Sequence, residues 1–160
     1  IFIGYELCSD VSLPEIIEEI KTATRKCIDY AKQNKSKSLH LCGYSAGSHL
    51  VATLFTNFVM SLTEEDRLII KSAILIAGIY DLCEIPKTSV NVMLELNEIE
   101  ALKLSPYKQD IPKDIKTSFY VISAENDSPE FKKQSKEFHA KLQNLGLESK
   151  LLTVDNVNHF

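Results

Sequence analysis

A chain of 160 residues with 44% hydrophobic and 25% charged content is long enough to bury a core and too apolar to be a disordered or collagen-like segment. Eighteen basic against twenty-two acidic residues give a net charge of −4, and no Lys/Arg cluster is interleaved with aromatics, which argues against nucleic acid as a partner. No apolar run approaches the roughly 20 residues of a membrane-spanning helix, and no basic segment precedes an apolar one as in a signal peptide. One domain over residues 1–160 is expected, soluble and cytoplasmic. Cys8, Cys27, Cys42 and Cys83 are widely spaced with no C-x-x-C pair. That spacing opposes a zinc site, a redox motif or a disulfide framework, so they read as buried thiols in a reducing compartment. The chain begins at Ile1 and stops at Phe160, just beyond a histidine, and both ends are expected to be cut.

In chain order, Ile1-Phe2-Ile3-Gly4-Tyr5 has the apolar, β-branched and aromatic character of a buried strand. Pro14 opens a helical pattern in which Ile16, Ile17, Ile20, Thr24, Cys27, Ile28 and Ala31 fall on one stripe. A strand over residues 38–42 follows, then a helix from His49 to Phe55, a polar connection at Thr63-Glu64-Glu65-Asp66, and a strand over residues 72–77. Val90 to Leu104 reads as one helix ending before Pro106. A strand over residues 117–123 leads into a helix capped by Ser128, with Pro129 at its first position, Gly146 as its stop, and Phe131, Phe138, Leu142 and Leu145 on its inner face. The last strand is Ser149 to Val154. Strands alternating with helices predict an α/β fold, a mostly parallel sheet with helices on both faces, because parallel neighbours need a crossover connection.

Between the second strand and its helix stands Gly43-Tyr44-Ser45-Ala46-Gly47, a G-x-S-x-G pentapeptide. The string alone is common, but its position is that of a nucleophile elbow, where a sharp, strained turn pushes the serine hydroxyl out and glycines let strand and helix approach. A serine hydroxyl is a weak nucleophile and needs an imidazole to take its proton and a carboxylate to orient the imidazole. Ser45, Asp127 and His159 each follow a strand, at the end of the sheet where such folds place their sites. Their order of nucleophile, acid and histidine is that of the α/β-hydrolases.

Rivals exist for each role. His40 and His139 belong to a strand and a helix and read as structural, and His49, one turn after Ser45, as a packed or hydrogen-bonded core histidine. Asp81 also follows a strand and is the main alternative to Asp127, with turn or helix capping as its other role; Asp155 and Glu125 come behind it. Cys42 abuts the elbow without occupying its apex. The backbone N–H of Ala46 is the expected oxyanion donor, and no H-G-G segment precedes Ser45 to supply a second.

Taken together, Gly4-Tyr5-Glu6-Leu7 with Leu13-Pro14-Glu15-Ile16, the elbow with Ser48-His49-Leu50, Gly78-Ile79-Tyr80-Asp81-Leu82, Asp127-Ser128-Pro129-Glu130-Phe131 with Gln134-Ser135 and Glu137-Phe138, and Asn158-His159-Phe160 resemble the kynurenine formamidases (arylformamidases) of the α/β-hydrolase superfamily. The resemblance places the acid on Asp127 and the histidine on His159. It implies hydrolysis of N-formyl-L-kynurenine to L-kynurenine and formate in tryptophan catabolism, with a small-molecule substrate, no metal or organic cofactor, and no nucleic-acid or membrane partner; a homodimer is admissible. Tyr44 stands where the family more often has histidine beside the nucleophile, and is expected to border the substrate. The family's N-terminal oxyanion loop and closing C-terminal helix have no counterpart here, which implies a partial hydrolase domain, incomplete at both ends. A carboxylesterase or lipase-like enzyme is the alternative within the superfamily, and a truncated non-catalytic hydrolase-fold protein the alternative outside catalysis.

Overall fold

The computed structural model describes residues 1–8 and 10–160. Its centre is a four-stranded, all-parallel sheet in the order β1 (Leu39–Tyr44), β2 (Ile70–Ile76), β3 (Ser118–Ala124), β4 (Ser149–Val154). Consecutive strands pair side by side, so every connection crosses over and all four strands end on the same edge. That edge collects the loops carrying Ser45, Asp127 and His159.

Leu41, Ala73, Leu75, Phe119 and Val121 are buried on one face of the sheet and join the cluster to which the helices bring Phe55, Phe58 and Phe138. The opposite face carries Cys42, Ile74, Ile76, Tyr120 and Ile122, which are half-buried or exposed. The first helix, α1 (Leu13–Gln33), buries Ile16, Ile17, Ile20, Thr24, Ile28 and Ala31 on one stripe, with Cys27 half-buried beside it. Its start is fixed by Glu15, whose carboxylate accepts from both the N–H and the hydroxyl of Ser12. After the elbow, α2 (Ala46–Thr53) runs into a wider π turn at Leu54–Phe58 and a tight turn at Val59–Ser61.

Several local expectations are corrected. Residues 1–5 are not a strand: they join no pairing of the sheet, Ile1 is 85% exposed, and the segment is tied to α1 where Glu6 N–H donates to Glu19. Apolar character makes a strand only where a neighbouring edge is there to bond it. The polar connection at residues 63–66 is a helix, α3 (Glu64–Ile69), because the Thr63 hydroxyl caps the Asp66 N–H and three acids sit in its first turn. Val90 to Leu104 is not one helix but two, α4 (Asn91–Leu94) and α5 (Glu98–Lys103). Glu95 turns left-handed between them, the Asn91 side chain bonds both the N–H and the carbonyl of Leu96, and Asn97 caps the second helix. The cysteines are not fully buried; Cys42 is exposed and the other three are half-buried. Cys42 lies on the face of β1 turned away from α2, since side chains alternate along a strand.

The last helix, α6 (Pro129–Asn144), starts and stops as its caps dictate. Ser128 accepts from Phe131 N–H, and Gly146 adopts φ +77° just past the end. It also anchors the connection from β2. Gln134 accepts from the N–H groups of Tyr80 and Asp81 and donates to the Asp81 carbonyl. Lys141 donates to the carbonyls of Pro106, Tyr107 and Gln109. Burial lowers the Lys141 pKa from its ordinary value, and the three carbonyls take up all three of its protons.

Candidate active site

Ser45 occupies the apex between β1 and α2 with φ 51° and ψ −116°, a backbone conformation that costs a non-glycine residue on the order of 1–3 kcal/mol. The surrounding bonds hold it there. Its N–H donates to the Ile76 carbonyl at 2.8 Å, and the buried Ser48 hydroxyl lies 2.7 Å from the Gly43 carbonyl and 2.8 Å from that of Ile76. Gly43 is needed for the approach, because a Cβ there would lie 2.2 Å from the Gly47 carbonyl oxygen. Gly47 is not needed in this way: a Cβ on it meets nothing within 4 Å among the described residues. Of the two glycines expected to permit the turn, one does so sterically.

The other two candidates arrive on the next loops along the edge. Asp127, at the start of α6, is 5% exposed; one carboxylate oxygen accepts from Ser128 N–H at 2.8 Å and the other meets His159 Nδ1 at 3.1 Å. His159 Nε2 in turn lies 3.0 Å from Ser45 Oγ. The loop bearing His159 is joined to the Asp127 loop by backbone bonds from Glu125 to Val154 and from Asn126 to Val157, and Glu125 accepts from Asn156 N–H through its side chain. Glu125 therefore shapes the histidine loop. Ala46 is the first residue of α2, where the helix offers no acceptor for its N–H. Tyr44 is 49% exposed, and its ring centroid lies 5.4 Å from that of His159.

Competing residues are occupied elsewhere. Asp81 pairs with Lys108 at 2.9 Å and accepts from Cys83 N–H at 3.0 Å, so it closes a turn. Burial pushes its carboxyl up, but Lys108 and the Cys83 N–H outweigh that and hold it below the ordinary value. His40 and His139 bond Ser72 and Ser149. His49 is buried and its Nδ1 meets the Ile79 carbonyl at 3.2 Å; burial lowers its pKa to about 4, so it stays neutral. Asp155 is exposed in the turn before the histidine loop.

Sequence periodicity missed one neighbour of the site. Phe131 does not face the core but packs its ring on His159, centroids 4.4 Å apart. It sits in the first turn of α6, beyond the end of the sheet, where the helical stripe overhangs the loops. The Asp-Ser-Pro-Glu-Phe string was the available signal, since Phe131 lies four positions after Asp127. A cleft of about 870 Å³ between the N-terminal segment and α1 has none of the three candidates in its wall. Among the described residues, no group of three His, Cys, Asp or Glu side chains is placed to hold a metal ion, and no helix is long and apolar enough to cross a membrane.

The same architecture occurs in carboxyl esterase 2 of the mycorrhizal fungus Tuber melanosporum, with a TM-score of 0.78 at 17% identity over 99% of this chain and 57% of that one. It occurs again in a hyperthermophilic esterase of Pyrobaculum calidifontis, with a TM-score of 0.75 at 19% identity over 98% and 55%. Kynurenine formamidase of Salmo salar is 34% identical over 164 residues, spanning 99% of this chain and 54% of the relative. This is an α/β-hydrolase fold with a kynurenine-formamidase-like sequence. The likeness extends to kynurenine formamidases of Danio rerio, 32% identical over 161 residues, and Drosophila melanogaster, 30% identical over 162. No protein-family model matches the chain. The formamidase-like chain spans about half the length of these relatives.

Proposed function

We propose that this chain carries the catalytic triad of a serine hydrolase that cleaves N-formyl-L-kynurenine to L-kynurenine and formate, within tryptophan catabolism in the cytoplasm. The observation that carries the reading is the continuous relay from Ser45 Oγ through His159 to Asp127, with links of 3.0 and 3.1 Å. In this mechanism Ser45 attacks the formyl carbon while His159 Nε2 takes its proton. Asp127 keeps the proton on Nδ1 and stabilises the imidazolium. The Ala46 N–H faces the developing oxyanion, and loss of one such donor typically costs about a hundred- to a thousandfold in turnover. Collapse of the tetrahedral intermediate breaks the C–N bond as His159 protonates the departing arylamine. Water deprotonated by His159 then releases formate from Ser45, and the serine recovers its proton. Tyr44, exposed beside the imidazole, suits a wall for the aryl group. One domain over residues 1–160, a small-molecule substrate and no metal or organic cofactor complete the proposal; a homodimer is compatible with it.

The fold relatives are esterases, and ester hydrolysis is the second reading. Parallel assays on N-formyl-kynurenine and on short p-nitrophenyl esters separate the two. Formamide cleavage that is lost with Ser45→Ala is the expected result; robust ester turnover with no formamide cleavage overturns it. Failure of Ser45 to react with a fluorophosphonate probe indicates a non-catalytic hydrolase-fold protein.

A further inference from the structure

We propose that Phe131 is a positioning residue for His159, resting on the reading of Ser45, His159 and Asp127 as a hydrolytic relay. The final torsion of a histidine side chain is broad and soft. His159 Nδ1 meets the Asp127 carboxylate and Nε2 meets Ser45 Oγ, contacts at the edges of the ring that leave it free to tilt about the line joining them. Phe131 closes this freedom from the side. Its ring centroid lies 4.4 Å from that of the imidazole with the planes 49° apart, nearer than Tyr44 at 5.4 Å or Phe160 at 5.2 Å.

Phe131 is also the aromatic neighbour built into the acid's own segment. Ser128 N–H donates to Asp127 at 2.8 Å, and the Ser128 hydroxyl accepts from Phe131 N–H at 3.4 Å. A single helix cap thus sets the carboxylate against the edge of the imidazole and the phenyl ring beside it. The Asp127–His159 bond is little exposed to water, the His159 side chain being 15% exposed and that of Asp127 2%, and the phenyl ring is packed against the imidazole. A tautomer held by a shielded bond keeps Nε2 unprotonated and aimed at Ser45, the state the relay needs.

The test is the proton spectrum of the full chain, cold and near neutral pH, read at the far-downfield resonance of an imidazole Nδ1–H bound to a carboxylate. The resonance is expected in the unmodified chain and in Phe131→Leu, which keeps an apolar cover. In Phe131→Ala its exchange with water should quicken about tenfold or the signal vanish, with the far-ultraviolet dichroism unchanged. If the alanine variant does not fold, Phe131→Thr supplies the same truncation. An unaltered signal in the truncated variant, equal loss in Phe131→Leu, or no such signal in the unmodified chain each overturns the proposal. This readout needs no turnover. A positioned imidazole on an inert Ser45 sinks the hydrolase reading, while fluorophosphonate labelling of Ser45 with an unaffected resonance in Phe131→Ala sinks the role of Phe131.

Discussion

Ser45 Oγ and His159 Nε2 meet at 3.0 Å although they stand 114 positions apart in the chain. The contact exists because the elbow strains Ser45 outward from β1 while the loop after β4 folds back toward it. Replacing Ser45 by alanine should abolish fluorophosphonate labelling. Asp127→Asn should keep the contact but lower the labelling rate by about 10,000-fold, because an amide favours the wrong imidazole tautomer. Mass spectrometry of the labelled peptide and the time course of labelling check both.

Asp81→Asn provides the contrast. Its carboxylate is spent on Lys108 and Cys83 N–H, so labelling should stay within about threefold of the unmodified chain. Stability should fall by about 1 kcal/mol, the usual value of a half-exposed pair with one backbone bond. A labelling loss comparable with that of Asp127→Asn would move the acid role to Asp81.

The three side chains that meet at this edge could be singled out as candidates because each carries a local mark in the sequence. The pentapeptide sits between strand and helix, Asp127 precedes a Ser-Pro helix start, and His159 lies in a loop after a strand. The structure brings the three side chains together at one edge of the sheet. What escaped the sequence depends on neighbours rather than on local pattern. Residues 1–5 have strand composition without a strand to bond. Thr63 to Asp66 looked like a loop, although a capping hydroxyl followed by acids is also how a helix begins. Periodicity put Phe131 on the buried stripe of α6, but in the first turn that stripe extends past the sheet and meets His159 instead. The break at Glu95 rests on the Asn91 side chain bonding Leu96, a closure that a 3.6-residue repeat does not reveal.

The two glycines of the elbow should respond oppositely to alanine. In Gly43→Ala the new methyl group falls 2.2 Å from the Gly47 carbonyl oxygen; neither backbone can move without disturbing the turn, so a loss of about 3 kcal/mol or more is expected. In Gly47→Ala the methyl group meets open space in the first turn of α2, and the better helix propensity should leave stability unchanged or raise it by up to about 1 kcal/mol. Urea unfolding of both variants measures the difference, and equal destabilisation would contradict the packing described for the elbow.

His49 makes stability depend on pH. Its imidazole is buried behind the elbow with Nδ1 at the Ile79 carbonyl, and burial lowers its pKa from 6.5 to about 4 in the folded chain. Above pH 6.5 both folded and unfolded states hold it neutral, and it adds no slope. Between about 6.5 and 4 the unfolded chain binds a proton that the folded chain refuses, so stability falls as pH is lowered. The loss should approach about 3 kcal/mol near pH 4, at 1.36 kcal/mol per pKa unit. His49→Gln keeps a donor for Ile79 and cannot titrate. Urea unfolding from pH 7.5 to 4.5 should show the shallower decline for the variant, and parallel declines would show that other groups govern the acid side.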